Sequence, residues 1–260
     1  MSTTLAPPRT AAEARTALAA AFTMPTISPL IVPPPYRYRD TKALNILFQT
    51  DPEILPRLVP APLIPNPGQP LVFYIGHFVL ADYDLPYNEA GLLVPVTYDG
   101  EAGLFAVVLY LDKANPIVGG REVCGWPKKD AEEIRFVEKF GKVSAEVTRY
   151  GQRIITANFE VKQKVEVIAD RPKAPLYFLK MIPSIEKGAQ PDVLKLNSML
   201  IDPDVIKRLE IGRGTLSFGT SPYDAFLREI PIREVTYSEL IVHEFTLGFG
   251  KTVFNYLAEP

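Results

Sequence analysis

The sequence predicts a mainly β (α+β) chain: a closed or double-layered antiparallel sheet, barrel-like, with a few short helices. Three observations carry this. Residues 71–80, 92–98 and 104–111 are nearly continuous apolar runs of aromatic and β-branched character, as in strands buried on both faces. Residues 132–168 alternate apolar and polar side chains, with Gly141 and Tyr150-Gly151 at the turns, as in an antiparallel meander. Proline is abundant, 26 of 260 residues, which breaks long helices and favours short elements between fixed turns.

The elements follow in order. Residues 1–35 read as an arm, with an Ala-rich helix over Ala11–Phe22 and prolines at 25, 29 and 33–35 that force an extended path. Residues 36–260 read as one domain. Its first strand is Ala43–Gln49. Asp51-Pro52-Glu53 then starts a helix, with a cap residue, a proline at the first helical position and an acid in the first turn; Pro56 and Pro60 end it. Asp99-Gly100 joins the strands 92–98 and 104–111 as a hairpin turn. Beyond the meander, strands are expected at 176–182, 193–201, 205–218 and 232–247. Short helices are expected at 222–228, with Ser221 as its cap, and at 250–257.

Composition excludes several function classes. Net charge is −2, so no basic excess exists to neutralise phosphates and no nucleic-acid partner is expected. One cysteine excludes an internal disulfide framework and any CxxC site. The two histidines, His77 and His243, lie far apart in apolar contexts and read as core residues, so no metal is expected. Gly212-x-Gly214 and Gly248-x-Gly250 lack the context of a phosphate loop, and no cofactor is expected. No apolar run approaches the length of a membrane span, and the first residues do not pattern as a signal peptide; a cytoplasmic protein is the expectation.

One segment carries chemistry: Gly119-Gly120-Arg121-Glu122-Val123-Cys124-Gly125-Trp126-Pro127-Lys128-Lys129. Paired lysines are ordinarily solvated on a turn. Set in an apolar pocket, they acquire a reaction. A lysine attacks a ketone as the neutral amine, and loss of water together with a second ammonium nearby favours that form. The product is a Schiff base.

This segment resembles the signature of the acetoacetate decarboxylase superfamily. The resemblance extends to Tyr110-Leu111-Asp112, Pro95-Val96, Pro35-Tyr36 and Val59-Pro60, and covers most of residues 35–130. That enzyme is itself the standing example of an activated lysine, through burial or a neighbouring cation. The resemblance implies that Lys128 forms the imine, that Lys129 perturbs it, and that Glu89, in Tyr87-Asn88-Glu89-Ala90-Gly91, is the acid–base group. Tyr87, Trp126, Cys124, Arg121 and the position of Ile75 are the expected substrate-binding set. Arg121 has a second reading, an ion pair with Glu122 that fixes the lysine turn. Cys124 reads as a buried inert thiol rather than a nucleophile.

Two departures from the family pattern are expected to matter. Thr41 stands where the decarboxylases carry an arginine, with Arg39 two residues earlier as an alternative source of that charge. Ile75 stands where they carry a second glutamate. The expected function is therefore a lysine Schiff-base lyase on small oxo acids, of pyruvate aldolase-dehydratase or 2-oxo acid hydratase type, with decarboxylation weak or lost. Acetoacetate decarboxylase is the alternative, and a non-catalytic small-molecule binder the third reading. A homo-oligomer is expected.

Overall fold

The computed structural model describes residues 10–166, 174–201 and 203–258. Residues 1–9 of the expected arm and 167–168 of the expected meander lie outside them. The chain divides into two compact units, Met1–Pro34 and Pro35–Pro260. In the first, helix α1 (Ala11–Ala20) starts at a reciprocal cap: the Thr10 hydroxyl accepts from the Glu13 N–H, and the Glu13 carboxylate accepts from the Thr10 N–H. None of its residues is buried.

The second unit is one sheet. Its strands are β1 (Tyr36–Gln49), β2 (Ile64–Pro65), β3 (Leu71–Leu80), β4 (Leu85–Tyr98), β5 (Glu101–Leu111), β6 (Lys128–Asp130), β7 (Glu133–Lys139), β8 (Lys142–Arg149), β9 (Gln152–Lys164), β10 (Pro175–Ile182), β11 (Val193–Leu200), β12 (Pro203–Phe218), β13 (Glu234–Leu247) and β14 (Lys251–Asn255). The order across the sheet is β14-β11-β10-β5-β4-β3-β1-β13-β12-β9-β8-β7, with β2 on β4 and β6 on β5. Pairing is antiparallel except where β10 and β6 run parallel to β5.

The sheet is not closed, which corrects the barrel expectation. Its edge strand β7 instead curls back over β3 and β4, where the Asn88 amide donates to the Ile134 carbonyl at 2.9 Å. Curling is what the apolar pattern demands. Leu44, Ile46, Phe73, Ile75, Ala145 and Val147 all face one enclosed core. A second apolar cluster, including Tyr38, Phe78, Tyr87, Leu109, Trp126 and Phe178, covers the opposite face of the central strands. The continuous apolar runs of β3, β4 and β5 thus have both faces to bury.

The hairpin turns are legible in residue type. Asp99 and Gly100 take φ of 48° and 79°, the two positive values that a two-residue turn matched to strand twist requires. Phe140-Gly141 and Tyr150-Gly151 repeat the pattern, with φ of 52° and 70°, and 50° and 69°. Elsewhere the helices differ from expectation. Pro52–Ile54 forms a 3-10 turn, and Pro56 lies within the first turn of α2 (Leu55–Leu58) rather than ending a helix. The expected helix at 222–228 is a 3-10 turn over Ala225–Glu229. Ser221 accepts from the Tyr223 N–H but does not cap it. Residues 251–255 form β14 instead of a helix, because β11 offers an edge for pairing. An unforeseen helix, α3 (Ala114–Gly119), leads into the lysine segment and is continued there by a π turn over Gly120–Cys124. No described helix is long and apolar enough to cross a membrane.

One polar cluster ties β6 to the loop after β12. Asp224, 1% exposed, accepts from the Tyr110 hydroxyl at 2.8 Å, from Arg149 at 2.7 Å and from the Lys129 ammonium. Burial pushes the Asp224 carboxyl up, but these donors outweigh it and hold it below its ordinary 3.8. Burial and the Asp224 charge keep the Tyr110 phenol protonated as a donor. The unfolded chain therefore takes up a proton at Asp224 before the folded chain does. This contribution to stability is whole above about 3.8 and is lost as pH falls through the lower folded value. Asp224→Asn, which removes the anion shared by Lys129 and Arg149 and leaves Arg149 only Asp130 at 3.4 Å, is expected to cost about 3 kcal/mol in denaturant unfolding at neutral pH. It should also flatten the acid limb of the stability curve.

Candidate active site

The lysine segment is a compact loop held by its own backbone. The Gly120 carbonyl accepts from the N–H groups of Gly125 at 2.8 Å and Trp126 at 3.0 Å. The chain then enters β6 beside β5: the Pro127 carbonyl accepts from the Leu109 N–H at 3.0 Å, and Lys128 is paired with Leu109. Trp126 packs on Phe178 with ring centroids 4.1 Å apart. Gly120 lies directly against the lysine stem: a Cβ there would stand 2.6 Å from Lys128 Cδ and 2.7 Å from Cε. Only glycine leaves room for that side chain as it stands.

Lys128 and Glu89 are 8% and 6% exposed. Lys128 Nζ stands 3.1 Å from Glu89 Oε2, within ion-pair distance but out of hydrogen-bond alignment. The other carboxylate oxygen, Oε1, accepts from the Tyr74 hydroxyl at 2.5 Å. Tyr87 presents its ring 5.9 Å from Lys128 Nζ, and its hydroxyl donates to Tyr38 at 3.3 Å. Burial, and then the Glu89 charge, push the Tyr74 phenol well above its ordinary value; burial, and then the neighbouring phenols and Glu89, do the same at Tyr87. Both stay protonated at neutral pH. The group opens on a cavity of about 270 Å³ whose wall includes Tyr74, Tyr87, Glu89, Trp126 and Lys128.

The structure brings together Lys128, Glu89, Tyr87 and Trp126 among the expected residues. Lys129 departs: successive residues of β6 point to opposite faces, so its ammonium turns to Asp224 and the Tyr223 carbonyl. Lys128 therefore faces a carboxylate instead of a second ammonium. Arg121 lies outside the cavity, exposed, and donates to the Lys128 carbonyl at 3.0 Å; it braces the turn through the backbone rather than through Glu122. Cys124 is a buried free thiol behind Trp126 whose pKa burial raises, and its carbonyl accepts from Asn197 at 2.8 Å. Ile75 is fully buried in the core on the other face of β3 and does not line the site. Arg39 is a surface partner of Asp84, and Thr41 is buried in β1. Neither lines the cavity.

Several wall residues escaped the sequence reading, among them Tyr74, Phe78, Tyr38 and His243. Tyr74 faces the site from β3, one position from Ile75, and Phe78 follows it on the same face. Tyr38 and His243, which both stack on Phe245 at centroid distances of 4.4 and 5.3 Å, also line the cavity. The alternation of β3 was the available signal for Tyr74. His77, by contrast, meets Asn88 at 2.9 Å. Among the described residues no group of three or more His, Cys, Asp or Glu side chains is placed to hold a metal.

The chain resembles known proteins over nearly its whole length. The family model for acetoacetate decarboxylase (ADC) matches residues 23–257. An acetoacetate decarboxylase of Burkholderia ambifaria is 34% identical over 254 residues, 92% of this chain and 96% of the relative. One of Paraburkholderia phytofirmans is 32% identical, covering 95% and 98%. A solved acetoacetate decarboxylase superposes with a TM-score of 0.83 at 24% identity, over 94% of this chain and 99% of the other. MppR, an enduracididine biosynthesis enzyme solved with the condensation product of pyruvate and imidazole 4-carboxaldehyde, shares the fold at a TM-score of 0.76. It is 20% identical, over 91% of this chain and 97% of the other. The aldolase-dehydratase or hydratase expectation is overturned: the relatives similar in sequence over nearly their whole length are acetoacetate decarboxylases, and the likeness to MppR is one of fold alone. Its premise fails as well, since Ile75 is not a site position. The chain belongs to the acetoacetate decarboxylase family.

Proposed function

We propose that the chain decarboxylates a 3-oxo acid of the acetoacetate type through an imine on Lys128 Nζ. The observation that carries this is the buried amine facing a buried carboxylate at 3.1 Å on a largely apolar cavity. Glu89 takes the proton from Lys128, and the freed amine attacks the ketone carbon. The resulting carbinolamine loses its hydroxyl as water, with the proton returned by Glu89, and leaves a protonated imine. The bond between the carboxylate and its α-carbon then breaks. Its electron pair passes to the imine nitrogen, releasing carbon dioxide and an enamine. Glu89, reprotonated from solvent, protonates the enamine carbon, and water hydrolyses the imine to free the ketone and Lys128.

The remaining residues serve that sequence. Tyr74 holds Oε1 of Glu89, so that Oε2 faces the amine. The aromatic wall of Trp126, Phe78 and Tyr38 favours a step in which a carboxylate becomes uncharged carbon dioxide. Lys129 acts at a distance: its tie to Asp224 anchors β6 and hence the backbone from which Lys128 projects.

Borohydride reduction in the presence of acetoacetate, followed by peptide mass spectrometry, is expected to place the adduct on Lys128. A label on Lys129 alone, or on no lysine, overturns the reading. Glu89→Gln is expected to lower carbon dioxide release by about 10²-fold or more while the slow formation of a trappable imine persists. In Gly120→Ala the new methyl displaces a flexible side chain, so the melting temperature should move little. Displacement of Nζ from Glu89 should lower kcat by roughly 10²-fold, the order expected for a 1 Å misplacement.

A further inference from the structure

The cavity extends well beyond what acetoacetate would occupy. Its volume of about 270 Å³ is nearly twice that of the roughly 150 Å³ cavity that holds benzene. Its direction follows from strand register. Glu89 on β4 lies opposite Gly76 on β3, Gly76 opposite Ala43 on β1, and Ala43 opposite Ile241 on β13. This row crosses the sheet from the reacting end, and its first two floor positions carry no side chain and a methyl group. Gly76 admits nothing larger, because a Cβ would stand 2.2 Å from the Lys42 carbonyl oxygen. The neighbouring rows are tall: Tyr74 and Asn45 on one side, Phe78 and Tyr38 on the other.

The result is a trough that starts at Glu89 and ends on Ile241, which packs with Leu209 and Ala43 in an apolar cluster of its own. Three strand spacings of about 4.8 Å give it a reach of roughly 14 Å. A ketone methyl, as in acetoacetate, fills only its first step.

We infer that the trough binds an unbranched alkyl chain on the ketone carbon, so that the preferred substrates are 3-oxo acids of medium chain length rather than acetoacetate. This rests on the decarboxylase reading above. With the imine on Lys128, the carboxylate-bearing arm of the substrate stays by Glu89 and Trp126 while the alkyl arm lies over Gly76 and Ala43 towards Ile241. Each CH₂ buried there is expected to raise kcat/KM about fourfold until the trough is filled.

The test measures enzymatic carbon dioxide release, above the spontaneous rate, from acetoacetate, 3-oxohexanoate and 3-oxooctanoate. Unaltered protein is expected to show kcat/KM at least about tenfold higher for 3-oxooctanoate than for acetoacetate. Ala43→Leu, which raises the floor, is expected to lower that ratio at least about tenfold. Should Ala43→Leu fail to fold, Ile241→Phe shortens the far end and is expected to lower 3-oxooctanoate relative to 3-oxohexanoate. Borohydride trapping on unaltered protein gives an independent reading, since 2-heptanone should outcompete acetone for Lys128. A preference for acetoacetate, or a ratio that Ala43→Leu leaves unchanged, overturns the inference and spares the decarboxylase reading. Carbon dioxide release from none of the acids overturns that reading instead.

Discussion

The rest of the site depends on one constraint: an amine and a carboxylate buried together, 3.1 Å apart, on an apolar cavity. Neither charge is tolerated there alone, since an unpaired buried ion costs several kcal/mol. Together they form a pair within which a proton can pass. That demand accounts for the surroundings. Glu89 needs a partner for its second oxygen, which Tyr74 supplies. Lys128 needs a path for its stem, which Gly120 leaves open. Removing either support changes the position of one member relative to the other without changing its chemistry.

The two adjacent lysines divide the work by strand alternation. β6 is only three residues long, yet its pleat sends Lys128 into the cavity and Lys129 to the opposite side. There Lys129 joins Arg149 and Tyr110 around Asp224, a buried carboxylate that knits β5, β6, β8 and the loop after β12. Burial would penalise the Asp224 charge, but its donors more than compensate. The Lys128–Glu89 and Lys129–Asp224 pairs thus start from adjacent lysines and occupy separate environments in space. In this chain the aromatic wall and Glu89, rather than Lys129, define the surroundings of the buried Lys128 amine.

The error over Ile75 has the same origin. Side chains in a strand alternate, so a one-residue offset moves a position from one face to the other. Aligning the family glutamate with Ile75 put a core residue in the site and led to an altered reaction. Tyr74, one residue earlier, faces Glu89 and is polar. β3 thus keeps a polar group facing the site, one position before Ile75. Thr41 and Arg39 mislead similarly, because the pairing of β1 with β3 shifts between Arg39 and Lys42 and sequence offsets no longer report which face a residue occupies.

The sequence by itself determined most of the strands and the tight turns. Apolar runs and the Asp-Gly and aromatic-Gly turns are local features, and local sterics suffice to read them; the lysine segment was legible only through its resemblance to a family. The tertiary structure decided what depends on distant partners. The edge offered by β11 turned residues 251–255 into a strand, and the apolar demand on both faces of β3, β4 and β5 curled an open sheet rather than closing it. Asp224, nearly a hundred residues on, drew Lys129 away from Lys128. The cavity floor was beyond sequence altogether: Gly76, Ala43 and Ile241 meet only through the register of three strands, and pairing register is a property of the assembled sheet.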